Sequence, residues 1–217
     1  MIPVTPVVLE GHHVRLEPLS LAHVDALAAA AAGPRGTFAM TSVPNGLAEV
    51  RVYIDTALRA HAAGTALPFA TVSRALGRVV GSTRFGNLES WTWPAGHPEQ
   101  RADGCPDAAE IGWTWLVEEV QRSVINTEAK RLMLTHAFET WGVHRVSLMT
   151  DVRNARSRAA IERLGARFDG VRRAHFPAAD GTVRDSATYS ILAAEWPAVR
   201  DRLDVSLRGR EVREGSP

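Results

Sequence analysis

The residues best spaced for chemistry lie between Glu110 and Ser157. Glu110-Ile-Gly-Trp-Thr-Trp-Leu-Val-Glu-Glu-Val-Gln-Arg-Ser-Val-Ile-Asn126-Thr starts as an alternating strand, crosses a polar turn and enters a helix. The first amides of a helix lack intrahelical acceptors and sit at the positive end of its dipole, so such a start can hold an anion, pyrophosphate above all. A plain strand-to-helix connection has the same spacing. Alternation places Ile111, Trp113, Trp115 and Val117 on one face and Glu110, Gly112, Thr114 and Leu116 on the other. Glu110 is thus a carboxylate whose small neighbours, Gly112 and Thr114, leave room beside it. A strand-edge glutamate facing solvent or paired with an arginine fits equally. Asn154 and Gly165 cap the two ends of a later helix. With Asn154 as N-cap, Ser157 is the third helical residue and heads an inward stripe with Ala160, Ile161 and Leu164. Its hydroxyl can point inward or bond back to its own helix.

Other reactive residues form no such pattern. His12-His13 sits in a turn with no carboxylate spaced to complete a metal site, and no Gly-x-Ser-x-Gly elbow is present. Cys105 stands beside Pro106 without a nearby base. As the only cysteine it excludes an internal disulfide and a multi-cysteine zinc or iron–sulfur site, and it suits a reducing compartment such as the cytoplasm. Trp91 and Trp93 read as core packing rather than a substrate wall. Lys+Arg 25 against Asp+Glu 24 leaves a net charge of +1, so no global basic field recruits nucleic acid or a membrane surface. No apolar run has the length of a signal peptide or a membrane span. Lys130 is the only lysine among the 25 basic residues.

The elements that must position these side chains follow from periodicity and turn chemistry. Two short strands, 7–9 and 14–16, flank Gly11-His12-His13. A helix opens at Ser20 and ends at Gly33-Pro34-Arg35-Gly36; a second covers 47–63. Ala75-Leu76-Gly77 joins strands 68–72 and 79–85 as a hairpin. A turn-rich loop, 93–108, precedes the Glu110 strand. A long helix spans 126–141, followed by a strand over 146–150 and the Asn154 helix. Strands 166–174 and 183–192 flank Ala179-Asp180-Gly181, and a last helix covers 194–203. The unit 110–150 is a right-handed parallel crossover. The whole is an α+β or mixed α/β sheet with helices on both faces, and 204–217 is a frayed polar tail.

This order of pieces resembles the GNAT superfamily of acyl-CoA-dependent N-acyltransferases, in particular its RimJ/RimL-type branch. Leu9-Glu-Gly-His-His-Val-Arg-Leu-Glu-Pro-Leu19 resembles that branch's opening hairpin, and Glu110-Ile-Gly-Trp-Thr-Trp-Leu its central strand. Residues 121–126 stand where the family has its Gln/Arg-x-x-Gly-x-Gly/Ala loop. Asp151-Val-Arg-Asn-Ala-Arg-Ser157, running on to Leu164-Gly165, matches its Asn-x-x-Ser helix. The likeness spans about residues 8–197. It implies a GNAT-like mixed, mostly antiparallel sheet of six to seven strands, and a single acyl-CoA N-acyltransferase domain over 1–203.

The resemblance further implies an N-acetyltransferase that uses acetyl-CoA as co-substrate, needs no metal, and moves acetyl directly to a primary amine of a peptide N-terminus or a small molecule. Glu110 matches the family's base and Ser157 stands as the acid, with Tyr189 in reserve, because Ile161 occupies the place of the tyrosine many relatives use. Backbone groups of Trp115, Leu116 and Val117 are expected along the acyl-pantetheine arm, as is Asn154. Arg122, Ser123, Val124, Ile125, Asn126 and Thr127 are expected around the pyrophosphate. Arg156 and Arg158 either meet a 3′-phosphate or belong to a solvated helix face. A homodimer is expected of this branch; nucleic acid and membrane are not expected partners. One departure stands out: Val124 and Asn126 replace the loop glycines. A β-branched residue resists the left-handed region, so either position 124 is already helical or the loop is remodelled. A non-catalytic acyl-CoA-binding or interaction module is the alternative.

Overall fold

The computed structural model describes residues 4–100 and 104–214. Its strands are β1 (Leu9–Glu10), β2 (Val14–Pro18), β3 (Leu67–Ser73), β4 (Arg78–Glu89), β5 (Ala108–Leu116), β6 (Arg145–Asp151), β7 (Arg167–Pro177) and β8 (Val183–Leu192). They form one sheet in the order β1-β2-β3-β4-β5-β6-β8-β7, eight strands once the two-residue β1 is counted. All neighbours are antiparallel except β5 and β6, which run parallel across the expected helical crossover.

Helices cover both faces. α1 (Val24–Ala31) and α2 (Gly46–Ala62) bury Val24, Leu27, Val50 and Ile54 with Ala70 of β3 and Trp115 of β5. α3 (Ile125–Thr135), α4 (Ala155–Leu164) and α5 (Trp196–Glu214) bury Ala129, Met133, Ile161, Leu164, Val199 and Leu203 with Ile111, Val146, Tyr189 and Ile191 on the other face. Each of the Val, Leu, Ile and Met side chains removed from water contributes about 1.5–3 kcal/mol. Among the described residues none of β6, β7 or β8 joins the core under α1 and α2, so no described helix is packed into that half of the sheet face.

Several elements differ in detail from the sequence pattern. The long helix holds its expected length but changes winding: α3 passes into a π-turn over His136–Trp141, which Gly142 ends in the left-handed region at φ 64°. α5 runs on to Glu214, and the Arg131–Asp204 ion pair ties its middle to α3. Trp91 and Trp93 stay outside both cores. Trp91 stacks on His144 at 5.2 Å, and Trp93 donates its indole N–H to Asp107.

The turn at 11–13 docks on α3. The buried Glu128 carboxylate accepts the amides of His12 (2.8 Å), His13 (2.7 Å) and Val14 (2.7 Å). A Cβ on Gly11 would stand 2.5 Å from the Glu128 carboxyl carbon, which is why glycine precedes the histidines.

The strict alternation expected for β5 is wrong beyond Gly112. Ser82 pairs with Trp115 and Arg84 with Gly112, so Trp113 and Thr114 together face Thr83 in a β-bulge, with Trp113 at φ +50°. One extra residue resets the face of everything after it. Gly112 keeps the face of Glu110. Thr114 and Leu116 swing to the α3 side, while Trp115 enters the core under α1 and α2. Lys130 holds the bulge from beneath, its Nζ donating to Thr83 Oγ1 (2.9 Å) and Thr114 Oγ1 (2.6 Å). It is 4% exposed, and burial draws its pKa down to about 7.

Candidate active site

β5 and β6 pair only through Ala108↔Arg145, Ala109↔Val146 and Glu110↔Ser147. Beyond Glu110 the strands part, β5 staying with β4 and β6 with β8. The facing main-chain edges of the two central strands are therefore unpaired, and a wedge opens inside the sheet. Such an edge is a template for another extended, amide-bearing chain. α3 follows β5 and α4 follows β6.

The turn before α3 resolves the question at Val124. This residue is right-handed helical, at φ −68° and ψ −24°, and 4% exposed. Arg122 takes the left-handed conformation instead, at φ 65°. The first bond of the helix joins Glu128 N–H to Val124 C=O at 3.0 Å, so the preceding amides lie ahead of the ladder. That of Ile125 is capped by Ser123 Oγ at 3.2 Å. Asn126 Oδ1 is sealed from solvent without a donor. A buried acceptor of this kind calls for a ligand N–H or O–H.

A hydrogen-bonded bridge joins the turn to α4. Gln121 Oε1 accepts from Thr37 Oγ1 (2.9 Å) and Arg156 Nη1 (3.2 Å), while Gln121 Nε2 donates to Leu116 C=O (2.9 Å). Arg156 Nη2 also donates to Thr37 C=O at 3.1 Å. Beside this bridge a cavity of about 280 Å³ lies between 36–40 and 153–156. Asn154 caps α4, its Oδ1 accepting from Ser157 N–H at 3.0 Å. The Ser157 hydroxyl makes no hydrogen bond among the described residues, and the residue is half-buried. Arg158 is spent on the Tyr189 hydroxyl at 2.9 Å. Tyr189 is buried in the α4-side core and donates to Glu162 Oε1 at 3.1 Å, on the face opposite Glu110.

Glu110 stands at the apex of the wedge, half-buried. Its Oε2 accepts from Asn87 Nδ2 at 2.9 Å, and Asn87 holds φ +45° where the β4 register slips. Burial pushes the Glu110 carboxyl pKa up, against the hydrogen bond from Asn87 and the charges of Arg172 and Arg184. Glycines make room around it. A Cβ on Gly112 would stand 3.3 Å from Glu110 Oε1, and one on Gly86 would strike the Trp113 ring at 2.3 Å. Sequence reasoning missed Asn87 and the folding of Trp113 over Gly86. The only signal was Gly86-Asn87 inside a strand, a pair that tolerates left-handed backbone.

A family model for the acetyltransferase (GNAT) domain matches residues 13–167. The chain belongs to the GNAT acetyltransferase family. A GCN5-related N-acetyltransferase from Brucella melitensis superposes with a TM-score of 0.80 at 28% identity, over 94% of this chain and 87% of that one. Mycobacterium smegmatis RimJ, solved with CoA-disulfide, superposes with a TM-score of 0.73 at 24% identity, over 95% and 94% of the two chains, a likeness of fold. The Bacillus subtilis protein named "Putative ribosomal N-acetyltransferase YdaF" is 38% identical over 88 residues, 41% of this chain. That match spans 47%, about half, of YdaF. The parted central strands, the turn before α3 and the Asn154 cap are thus parts of a GNAT domain. No described helix is long and apolar enough to cross a membrane.

Proposed function

We propose that this GNAT protein is an acetyl-CoA-dependent N-acetyltransferase that transfers acetyl directly to a primary amine, with Glu110 as base. The observation that carries the reading is Glu110's position at the last shared pair of β5 and β6, where the wedge begins. The residues present fit an acyl-CoA. The amides ahead of Glu128 suit a diphosphate at the positive end of α3. Asn126 Oδ1 lacks a donor, and the open edge of β5 suits the amides of a pantetheine arm. Helical Val124 puts no left-handed demand on its side chain, which supports an acyl-CoA site over a non-catalytic module.

The thioester supplies the activated acyl group. Glu110 takes a proton from the acceptor ammonium, directly or through one water, so that the nitrogen lone pair can attack. Asn87 orients its carboxylate. Main-chain N–H groups on the unpaired β5 edge, about the bulge at Trp113–Leu116, face the position where negative charge develops on the acyl oxygen. The C–N bond forms and the C–S bond breaks, and the proton shed by the newly bonded nitrogen passes through the Ser157 hydroxyl to the leaving sulfur, so that Ser157 ends the step protonated. The name of YdaF, a putative ribosomal N-acetyltransferase, supports a ribosomal acceptor.

Thiol release from acetyl-CoA with a panel of peptides and small amines tests this, together with calorimetric titration of CoA. Turnover that falls in Glu110→Gln while CoA affinity holds supports the reading. Absence of heat at millimolar CoA overturns it.

A further inference from the structure

We propose that the acceptor amine carries carboxylates, held by Arg84 on one flank of Glu110 and by Arg172 and Arg184 on the other. This rests on Glu110 marking the acceptor side, and it names the substrate class of that site.

The strand registers place these residues on one face. Arg84 pairs with Gly112 and Gly86 with Glu110, so Arg84 and Glu110 project to the same side. Glu110 pairs with Ser147, Ser147 with Ser190, and Ser186 with Arg172. Counting by twos along β8 brings Ser190, Thr188, Ser186 and Arg184 to that side as well. Among the described residues α1 and α2 pack on β3, β4 and the Trp115 end of β5, and no residue of β6, β7 or β8 joins that core, so the surface about Glu110 is reached without crossing a helix.

Arg84 is 6% exposed and lies between the rings of Tyr53 (5.1 Å) and Trp113 (5.0 Å). Its Nε is sealed from solvent with no acceptor, and no described carboxylate lies within ion-pair distance of its guanidinium. Two rings answer the charge through their faces, but Nε is left without an acceptor. A buried charged donor without an acceptor is costly. A planar carboxylate meets the guanidinium fork with two parallel hydrogen bonds, a geometry that an ammonium ligand cannot supply.

The other flank is built from the β7–β8 hairpin. Arg184 Nε donates to Ser186 Oγ at 2.9 Å, His175 Nδ1 stands 3.0 Å from the same hydroxyl, and Arg172 Nη1 stands 3.3 Å from His175 Nε2. Neither arginine has a carboxylate within ion-pair distance among the described residues. Glu110 feels both charges, and Asp151, which also acts on Arg184, is engaged by Arg153 at 2.7 Å. Asp169 is taken by Ser190 Oγ at 2.8 Å. A polycationic amine docking here meets three guanidinium groups, whereas an acidic one is drawn to them.

The test is a matched acceptor panel with the full chain: a peptide amino terminus followed by two acidic residues, its amide isostere, a basic counterpart, free aspartate and glutamate, and spermidine. Direct binding to the CoA-loaded protein by calorimetry is the second readout. The acidic peptide is expected to exceed its amide isostere at least tenfold in kcat/KM and in affinity, with the gap closing in high salt. The double variant Arg172→Gln/Arg184→Gln, at exposed or half-exposed positions, should raise KM for the acidic peptide about tenfold and narrow its advantage over the amide isostere, measured in the same variant, to about twofold or less. Arg84→Met should do the same if it folds. Preference for the free amino acids over the peptide keeps the chemistry and assigns a small-molecule source. Equal or better binding of the amide, basic peptide or spermidine overturns the proposal. Glu110→Gln separates the two readings: if it leaves turnover intact while the acidic preference persists, the base assignment fails and the acceptor class stands.

Discussion

Glu110 on β5 faces Ser147 on β6 across the last pair the two central strands share. On one side of this pair the sheet is continuous; on the other the wedge begins. The carboxylate therefore combines a fixed backbone with an open approach, the two conditions a general base needs.

Glu110→Gln should lower kcat about 100-fold or more, within the range expected for a positioned base, and change the Kd for acetyl-CoA less than about twofold. Base function requires the ionised carboxylate. Because burial raises its pKa, the acidic limb of the kcat/KM profile should lie above the ordinary glutamate value of about 4.3. Removing the charge of Arg172 or Arg184 should move that limb further up. A pH–rate series on the three proteins checks both signs.

Lys130 predicts a stability that depends on alkaline pH. Its folded pKa is drawn down to about 7, whereas an unfolded lysine titrates near about 10.4. Between those values the unfolded chain binds the extra proton, so stability rises with pH across this window; below about pH 7 both states are protonated and the penalty is complete. Lys130→Met should flatten the rise. Urea denaturation at pH 6, 8 and 9.5 for both proteins measures the difference.

Val124→Gly installs the glycine that the family resemblance implies for this loop, yet it should cost about 1–3 kcal/mol of stability through lost burial and lower helix propensity. CoA affinity should stay within about threefold, because position 124 is right-handed helical and needs no glycine. Calorimetry that shows tenfold tighter CoA binding would contradict this geometry.

Glu128→Ala leaves three amides, those of His12, His13 and Val14, without their acceptor. The expected loss is about 1–3 kcal/mol, the cost of one unsatisfied buried donor, because the Val14 amide is buried while those of His12 and His13 are only part-buried. Chemical denaturation measures it, and early amide exchange at His12–Val14 should accompany it.

Local chemistry decides what one residue and its near neighbours do, and those features were legible. Asn154 and Gly165 announce the ends of α4 by their capping preferences, and the structure shows both caps. The strand–turn–helix order from Glu110 to Asn126 places α3 behind β5. Glu110, Asn126 and Ser157 were readable as candidates because their types stand out at those spacings. The bulge at Trp113–Thr114 was not readable, because one extra residue leaves no mark on an alternating string. Its cause lies 16 to 31 positions away, in Lys130 and Thr83.

By itself, then, the amino-acid sequence determined the elements, their order and the one carboxylate central to them, since periodicity and capping act over a few residues. Only the tertiary structure decided that β5 and β6 part after Glu110, that Asn87 steadies its carboxylate, and that Arg84 is closed between Tyr53 and Trp113. Those relations join segments tens of residues apart, and they exist only once the sheet has set its register.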